Sequence, residues 1–133
     1  MPQPAHEISG SWVNQNGSIL EIKQDNGTLS GHYISRKGRS ASGKRYPLGG
    51  AINGDVLSFY VDWQDDDANL ESITSFSGRV ERNADGIAAI HTMWVLVRRW
   101  EDQAQTRETG MWNAFLTNAD VFTRLDPAAV PDR

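Results

Sequence analysis

Hydrogen-bonding side chains recur in this sequence two residues away from large apolar ones. On a β-strand that spacing puts both kinds on one face. Trp12 shares a face with Asn14, and Ser18 opens the next apolar run just after Gly17. Tyr33 shares a face with Ser35, Ser72 and Thr74 share one with Phe76, and Thr92 shares one with Trp94 and Leu96. Each such face mixes a bulky aromatic or aliphatic group with a small hydroxyl or amide. Each unpaired buried polar group costs about 1–3 kcal/mol, so several of them converging inside a fold imply a bound partner or ordered water. The opposite assignment turns these residues to solvent. Over residues 71–79 it would bury Ser75, Ser77 and Arg79 instead, which is worse. For the run that carries Tyr33, alternation alone does not choose the face.

Catalytic readings have less to stand on. A hydrolase built on Tyr33 or Ser18 beside Asp120 would lack an inward histidine or lysine base. His6 lies in a terminal tail, and His32 and His91 alternate with Tyr33 and Thr92, which points them outward. Neither has an acidic neighbour at metal-ligand spacing, so no metal site is expected. The chain has no cysteine, which excludes a disulfide scaffold, a thiolate metal site and a cysteine nucleophile. Phosphate-loop, dinucleotide and nucleophile-elbow signatures are missing.

The elements that must position these residues are short strands. At 133 residues the chain is one domain's worth of sequence. Asn16-Gly17, Asn26-Gly27, Asn53-Gly54 and Asp85-Gly86 separate apolar-alternating runs. Such pairs supply the positive φ angles that tight hairpins need. The runs predict strands at about 10–15, 18–24, 28–35, 45–52, 55–63, 71–81, 87–98 and 118–125. Residues 103–115 are broken by Gly110 and poorly spaced for a helix, so a loop is expected, with one turn near 112–117. Residues 1–7 and 126–133 read as flexible tails around a domain at 8–125. Eight strands joined by hairpins suggest an up-and-down barrel or a sandwich, and an eight-stranded barrel can hold one small ligand.

Charge narrows the partners. The net charge of −4 argues against a general nucleic-acid binder. Arg36, Lys37, Arg39, Lys44 and Arg45 form a basic run without an acid. It reads either as an electropositive lid over an anionic ligand tail or as a solvated loop. Asp62, Asp65, Asp66, Asp67 and Glu71 read as a solvated hairpin loop, since a calcium loop would need a glycine and a terminal glutamate at set positions. No stretch approaches the roughly 18 apolar residues of a membrane-spanning helix, and no membrane partner is expected. The segment Met1-Pro2-Gln3-Pro4 does not read as a signal peptide.

Taken in order, residues 10–18 (GSWVNQNGS), 31–35 (GHYIS), 61–63 (VDW), 72–78 (SITSFSG), 92–96 (TMWVL) and Trp112 followed by 120–123 (DVFT) carry a specific pattern. With them the chain resembles the avidin and streptavidin family of biotin-binding proteins, over about residues 9–124. The resemblance implies an all-β, eight-stranded antiparallel up-and-down β-barrel that binds biotin without chemical change and without a cofactor. It also implies a homo-oligomer, a tetramer rather than a dimer, and a secreted or periplasmic location. Asn14, Ser18 and Tyr33 match the three donors to the ureido oxygen, while Asp120 and Ser35 match the acceptors for the two ureido N–H groups. Thr74 matches the hydroxyl near the ring sulfur, Trp63, Phe76 and Trp94 the aromatic walls, and Leu96 a further apolar contact. Ser72 matches a hydroxyl that reaches the valeryl carboxylate, with Gly38 and Arg39 in the lid at the same end. Trp112 matches the tryptophan that caps a neighbouring subunit's site.

Four departures from the better-known members stand out. Asn16 replaces a leucine, Lys37 stands near a small apolar lid position, and Phe76 replaces a tryptophan of streptavidin, as in avidin itself. Thr117 and Ala119 are small residues on a face that helps form one family interface. The rival reading is a lipocalin-like carrier of another small hydrophobic ligand. Such a carrier has little use for Asn14, Ser18, Tyr33 and Asp120 together. Trp12 reads as an end plug beneath Asn14, and Trp100 covers either the barrel base or an interface.

Overall fold

Each apolar-alternating run does form a strand. In the computed structural model, which describes residues 7–35, 44–64 and 70–130, eight strands follow one another along the chain. They are β1 (Gly10–Val13), β2 (Ile19–Asp25), β3 (Thr28–Ile34), β4 (Arg45–Asn53), β5 (Val56–Asp62), β6 (Ser72–Arg82), β7 (Ala88–Arg98) and β8 (Phe115–Leu125). Every strand pairs antiparallel with its sequence neighbour, and β1 pairs with β8 through Ser11–Leu125, Trp12–Arg124 and Val13–Thr123. The sheet is therefore a closed up-and-down barrel, the expected one of the two architectures. Closure removes the exposed edges that an open sheet would leave.

Turn chemistry sets the register. Asp25 pairs with Thr28 across Asn26-Gly27, and Asn26 takes a φ of 56°. Asn53 pairs with Val56, and Gly54 takes a φ of 62°. The last strand differs from its sequence-based bounds, starting at Phe115 rather than near 118. Its partner is the reason: β7 runs on to Arg98, and Val97 and Leu96 pair with Phe115 and Leu116. The expected turn is displaced accordingly, closing at Gly110 through Asn113 N–H and Ala114 N–H to the Gly110 carbonyl. The first strand is shorter than expected, ending at Val13, so Asn14 falls in the turn that follows. Pro127–Ala129 forms one turn of 3₁₀ helix, capped by the Asp126 side chain.

The core fills one end of the barrel. Trp12, Leu20, Ile90 and Phe122 are fully buried there with Ile8. Sealing this many large side chains from water contributes about 1.5–3 kcal/mol each. Trp12 plugs this end, as the sequence suggests. Its indole Nε1 donates to the Ile8 carbonyl at 2.9 Å, and the Arg124 guanidinium sits 4.2 Å from its ring centre. Arg124 also donates to the carbonyls of Ser9 and Glu7, both at 2.9 Å, strapping the incoming chain across the plug. The other end stays open, and the polar faces converge toward it.

Candidate functional site

Asn14 organises the polar floor of the barrel. Immediately after β1 the chain turns back, with Asn14 N–H donating to the Ser18 carbonyl at 2.9 Å and Gly17 N–H to the Asn14 carbonyl at 3.1 Å. The side-chain Oδ1 of Asn14 accepts from the backbone N–H of Asn16 at 3.0 Å and of Ser18 at 2.9 Å. Two donors on one oxygen fix which way the amide faces. Its Nδ2 is left pointing inward, 3.2 Å from Asp120 Oδ2 and 3.4 Å from the Tyr33 hydroxyl. Asn14, Ser18, Tyr33 and Asp120 are all buried. The sequence distance between Asn14 and Asp120 is bridged because β8 closes the barrel beside β1.

Asp120 is held from three sides. Gln15 Nε2 donates to its Oδ1 at 2.7 Å, while Gln15 Oε1 accepts from Val121 N–H at 3.0 Å. Thr92 Oγ1 donates to the Asp120 carbonyl at 3.0 Å. The carboxylate is thereby positioned before any ligand arrives. Burial raises the Tyr33 phenol to about 12, with the Asp120 charge adding to the rise and hydrogen bonds from Ser18 and Asn14 opposing it. Tyr33 is therefore a neutral O–H donor across the physiological range.

Aromatic residues build the walls. Trp63 stands edge-on to Tyr33, with ring centres 5.2 Å apart, and edge-on to Tyr46 at 4.9 Å. Its Nε1 donates to Thr74 Oγ1 at 2.7 Å, which leaves the Thr74 hydroxyl hydrogen free to face the cavity. Phe76 stacks on Phe59 at 4.6 Å. Trp94 lies across β6 and β7 from Phe76, and its Nε1 is buried without a partner. The cavity between these walls has a volume of about 190 Å³.

Ten residues singled out in the sequence line this one cavity. Asn14, Ser18, Tyr33 and Asp120 form its floor, Trp63, Phe76 and Trp94 its walls, and Ser35, Thr74 and Leu96 complete it. Asn16 lines it as well, so the leucine-to-asparagine departure falls on the cavity itself. Ser72 sits one inward step further out on β6, beyond Thr74. Trp112 does not line the cavity of its own barrel and is 87% exposed. Gly38 and Arg39, with Arg36 and Lys37, lie outside the described residues, as do His6 and Asp65–Asp67 of the acidic run. Arg45, at the end of the basic run, pairs with Glu21 at 3.0 Å. His91 is exposed and His32 half-buried, and no cluster of metal-ligating side chains occurs among the described residues.

Sequence reasoning missed Gln15, Thr92, Tyr46 and Phe59 as supports. Thr92 was visible on the face of Trp94. Gln15 gave no signal, because a residue next to Asn14 should face away; its long side chain folds back over the barrel edge.

Known proteins share this barrel fold. Afifavidin of Afifella pfennigii is 29% identical over 123 residues, covering 91% of this chain and 71% of that protein. Hoefavidin of Hoeflea phototrophica is 31% identical over 98 residues, covering 66% of this chain and 59% of that protein. The crystal structure of a rhizavidin–biotin complex superposes with a TM-score of 0.71 at 29% identity, covering 89% of this chain and 92% of that one. The sequence model of the avidin family matches residues 3–125, nearly the whole chain, and the protein belongs to that family.

Proposed function

We propose that the barrel binds biotin non-covalently and releases it unchanged. The observation that carries this reading is the floor: Asn14 Nδ2, the Ser18 and Tyr33 hydroxyls and the Asp120 carboxylate meet at the closed end of a cavity walled by Trp63, Phe76 and Trp94. A cyclic urea needs that set. Three donors converge on its carbonyl oxygen and draw it toward an oxyanion, and a carboxylate and the Ser35 hydroxyl accept from its two N–H groups. Hydrogen bonds with charged character are roughly twice as strong as neutral ones. Donor and acceptor ends reinforce one another in a site that excludes water. The site is largely prebuilt, since Asn14 and Asp120 are already held by neighbours, and affinity follows from the ordering cost avoided on binding. The biotin complex of the related rhizavidin supports the same ligand. The reading is one of binding without turnover.

The neighbouring-subunit role belongs to the same proposal. Trp112 stands clear of its own barrel, placed to cover the cavity of a second copy, and the protein acts as a homo-oligomer, a tetramer rather than a dimer. Gly38 and Arg39, outside the described residues, are assigned to the ligand's tail end by the family resemblance.

Titration calorimetry with biotin tests the reading. Wild-type protein should give saturable heat at one site per chain. Asp120→Ala should weaken binding by about a hundredfold or more, from the loss of a charge-assisted acceptor and its partners, with the melting transition retained. Wild-type protein that releases no heat with biotin would reject the proposal.

A further inference from the structure

One buried group near the mouth of the barrel is unused by the site described so far. Arg98 ends β7 on the same face as Trp94 and Leu96 and is half-buried. Its Nε–H is buried and has no hydrogen-bond partner. Its backbone is fixed, with N–H donating to the Ala114 carbonyl at 3.0 Å and its own carbonyl accepting from the Thr109 hydroxyl at 2.9 Å. Among the described residues no carboxylate pairs with it. Nearby Glu71 is taken by the Trp100 indole, and Glu108 by Arg99 at 3.6 Å.

Register places this guanidinium. Phe76–Trp94 and Thr74–Leu96 are successive inward pairs that line the cavity, and Ser72–Arg98 is the next pair toward the open end. Two residues of strand advance about 6.7 Å, close to the reach of an extended five-carbon acid chain. Side chains of directly paired residues stand within contact distance, so Arg98 and Ser72 flank one spot at the exit.

We infer that Arg98 is a specificity-determining residue that receives the free carboxylate of the ligand tail, making the site selective for the anionic acid over its neutral amide. This rests on the biotin-binding reading and extends it to the tail. A guanidinium presents its N–H groups as a fork that matches a carboxylate in two parallel bonds. Nε is covered in the unliganded structure, so the terminal nitrogens of Arg98 are the donors offered to the carboxylate. A neutral amide offers a single weaker acceptor and an N–H₂ that the cation repels. The sequence pattern assigns this end to Ser72 and the lid alone, with no cation on a strand.

The test compares biotin with biotinamide by calorimetry or competition, on wild-type protein and on Arg98→Gln. Wild-type protein should bind the acid about 10- to 100-fold more tightly than the amide. Arg98→Gln should lose most of that ratio through the acid, with the amide affinity within about twofold of wild type. Salt gives a check that needs no variant: raising it from 0.05 to about 0.5 M should weaken acid binding and leave amide binding nearly constant. An Arg98→Gln protein that keeps the wild-type acid-to-amide ratio overturns the inference, as does equal salt dependence for both ligands. Wild-type protein that binds neither ligand rejects the biotin reading beneath it, a separate result.

Discussion

At the scale of single residues, the floor of the cavity is a set of groups whose freedom has been removed in advance. Asn14 spends its oxygen on two backbone N–H groups so that its nitrogen faces inward. Tyr33 is kept neutral by burial, with its phenol raised to about 12 from an ordinary 10.0. That shift has a consequence for stability. Below pH 10 the phenol is protonated in both folded and unfolded chains and contributes no pH dependence. Above pH 10 the unfolded chain ionises first, and the folded state loses about 2–3 kcal/mol of relative stability by pH 12. Replacing Tyr33 by Phe removes this titration. In urea unfolding, the stability difference between wild type and Tyr33→Phe should stay constant up to pH 10 and shift by that amount, in favour of the variant, between pH 10 and 12. Parallel curves through pH 12 would show that the phenol is not buried as described. Ser18 and Asp120 took their floor roles only from the family resemblance, whereas the spacing of two from Trp12 made Asn14 legible. The face carrying Tyr33 was not, and burial explains why: Tyr33 and its neighbour Ile34 are both buried, so alternation holds no contrast there.

At the scale of elements, strand pairing converts those local patterns into a site. The hairpin turns were readable from Asn-Gly and Asp-Gly, since positive φ is a backbone property that few residues tolerate. The start of β8 was not, because residues 115–117 have little local signature and become a strand by pairing with the end of β7. Close approach between strands is likewise invisible in one-dimensional patterning. Gly31 of β3 has a φ of 141°, and a Cβ there would lie 1.9 Å from the Glu21 carbonyl oxygen of β2. Backbone on a neighbouring strand cannot move aside as a side-chain tip can. Gly31→Ala should therefore cost about 2–5 kcal/mol, combining backbone strain with overpacking. Equilibrium denaturation would measure it, and a loss below about 1 kcal/mol would mean that β2 and β3 can separate locally at little cost. Because Gly31 is two residues from Tyr33, the variant also tests whether pairing of these strands holds the donor in place.

At the scale of the whole molecule, the barrel's outer surface is as informative as its interior. Ile73, Val97 and Phe115 form one cross-strand row and are 46%, 40% and 47% exposed. Val95 lies between Tyr60 and Thr117 on the same side, through Ser75, and Met93 is 67% exposed next to Ala119. A contiguous apolar band of this kind on a small protein marks a contact surface. Without cysteine, no disulfide adds to the stability that closure of the barrel supplies. In the proposed oligomer, Trp112 serves the binding site as well as the contact between copies. A large indole at 87% exposure has an unfavourable position in an isolated barrel and a favourable one over the open mouth of another. Trp112→Lys removes an exposed indole and adds a charge at the proposed contact between copies. Biotin release should accelerate by about tenfold or more, as expected for losing a buried aromatic contact, and light scattering should show weaker association of the copies. An unchanged release rate from an intact oligomer would remove Trp112 from the site and leave each barrel to hold its ligand alone.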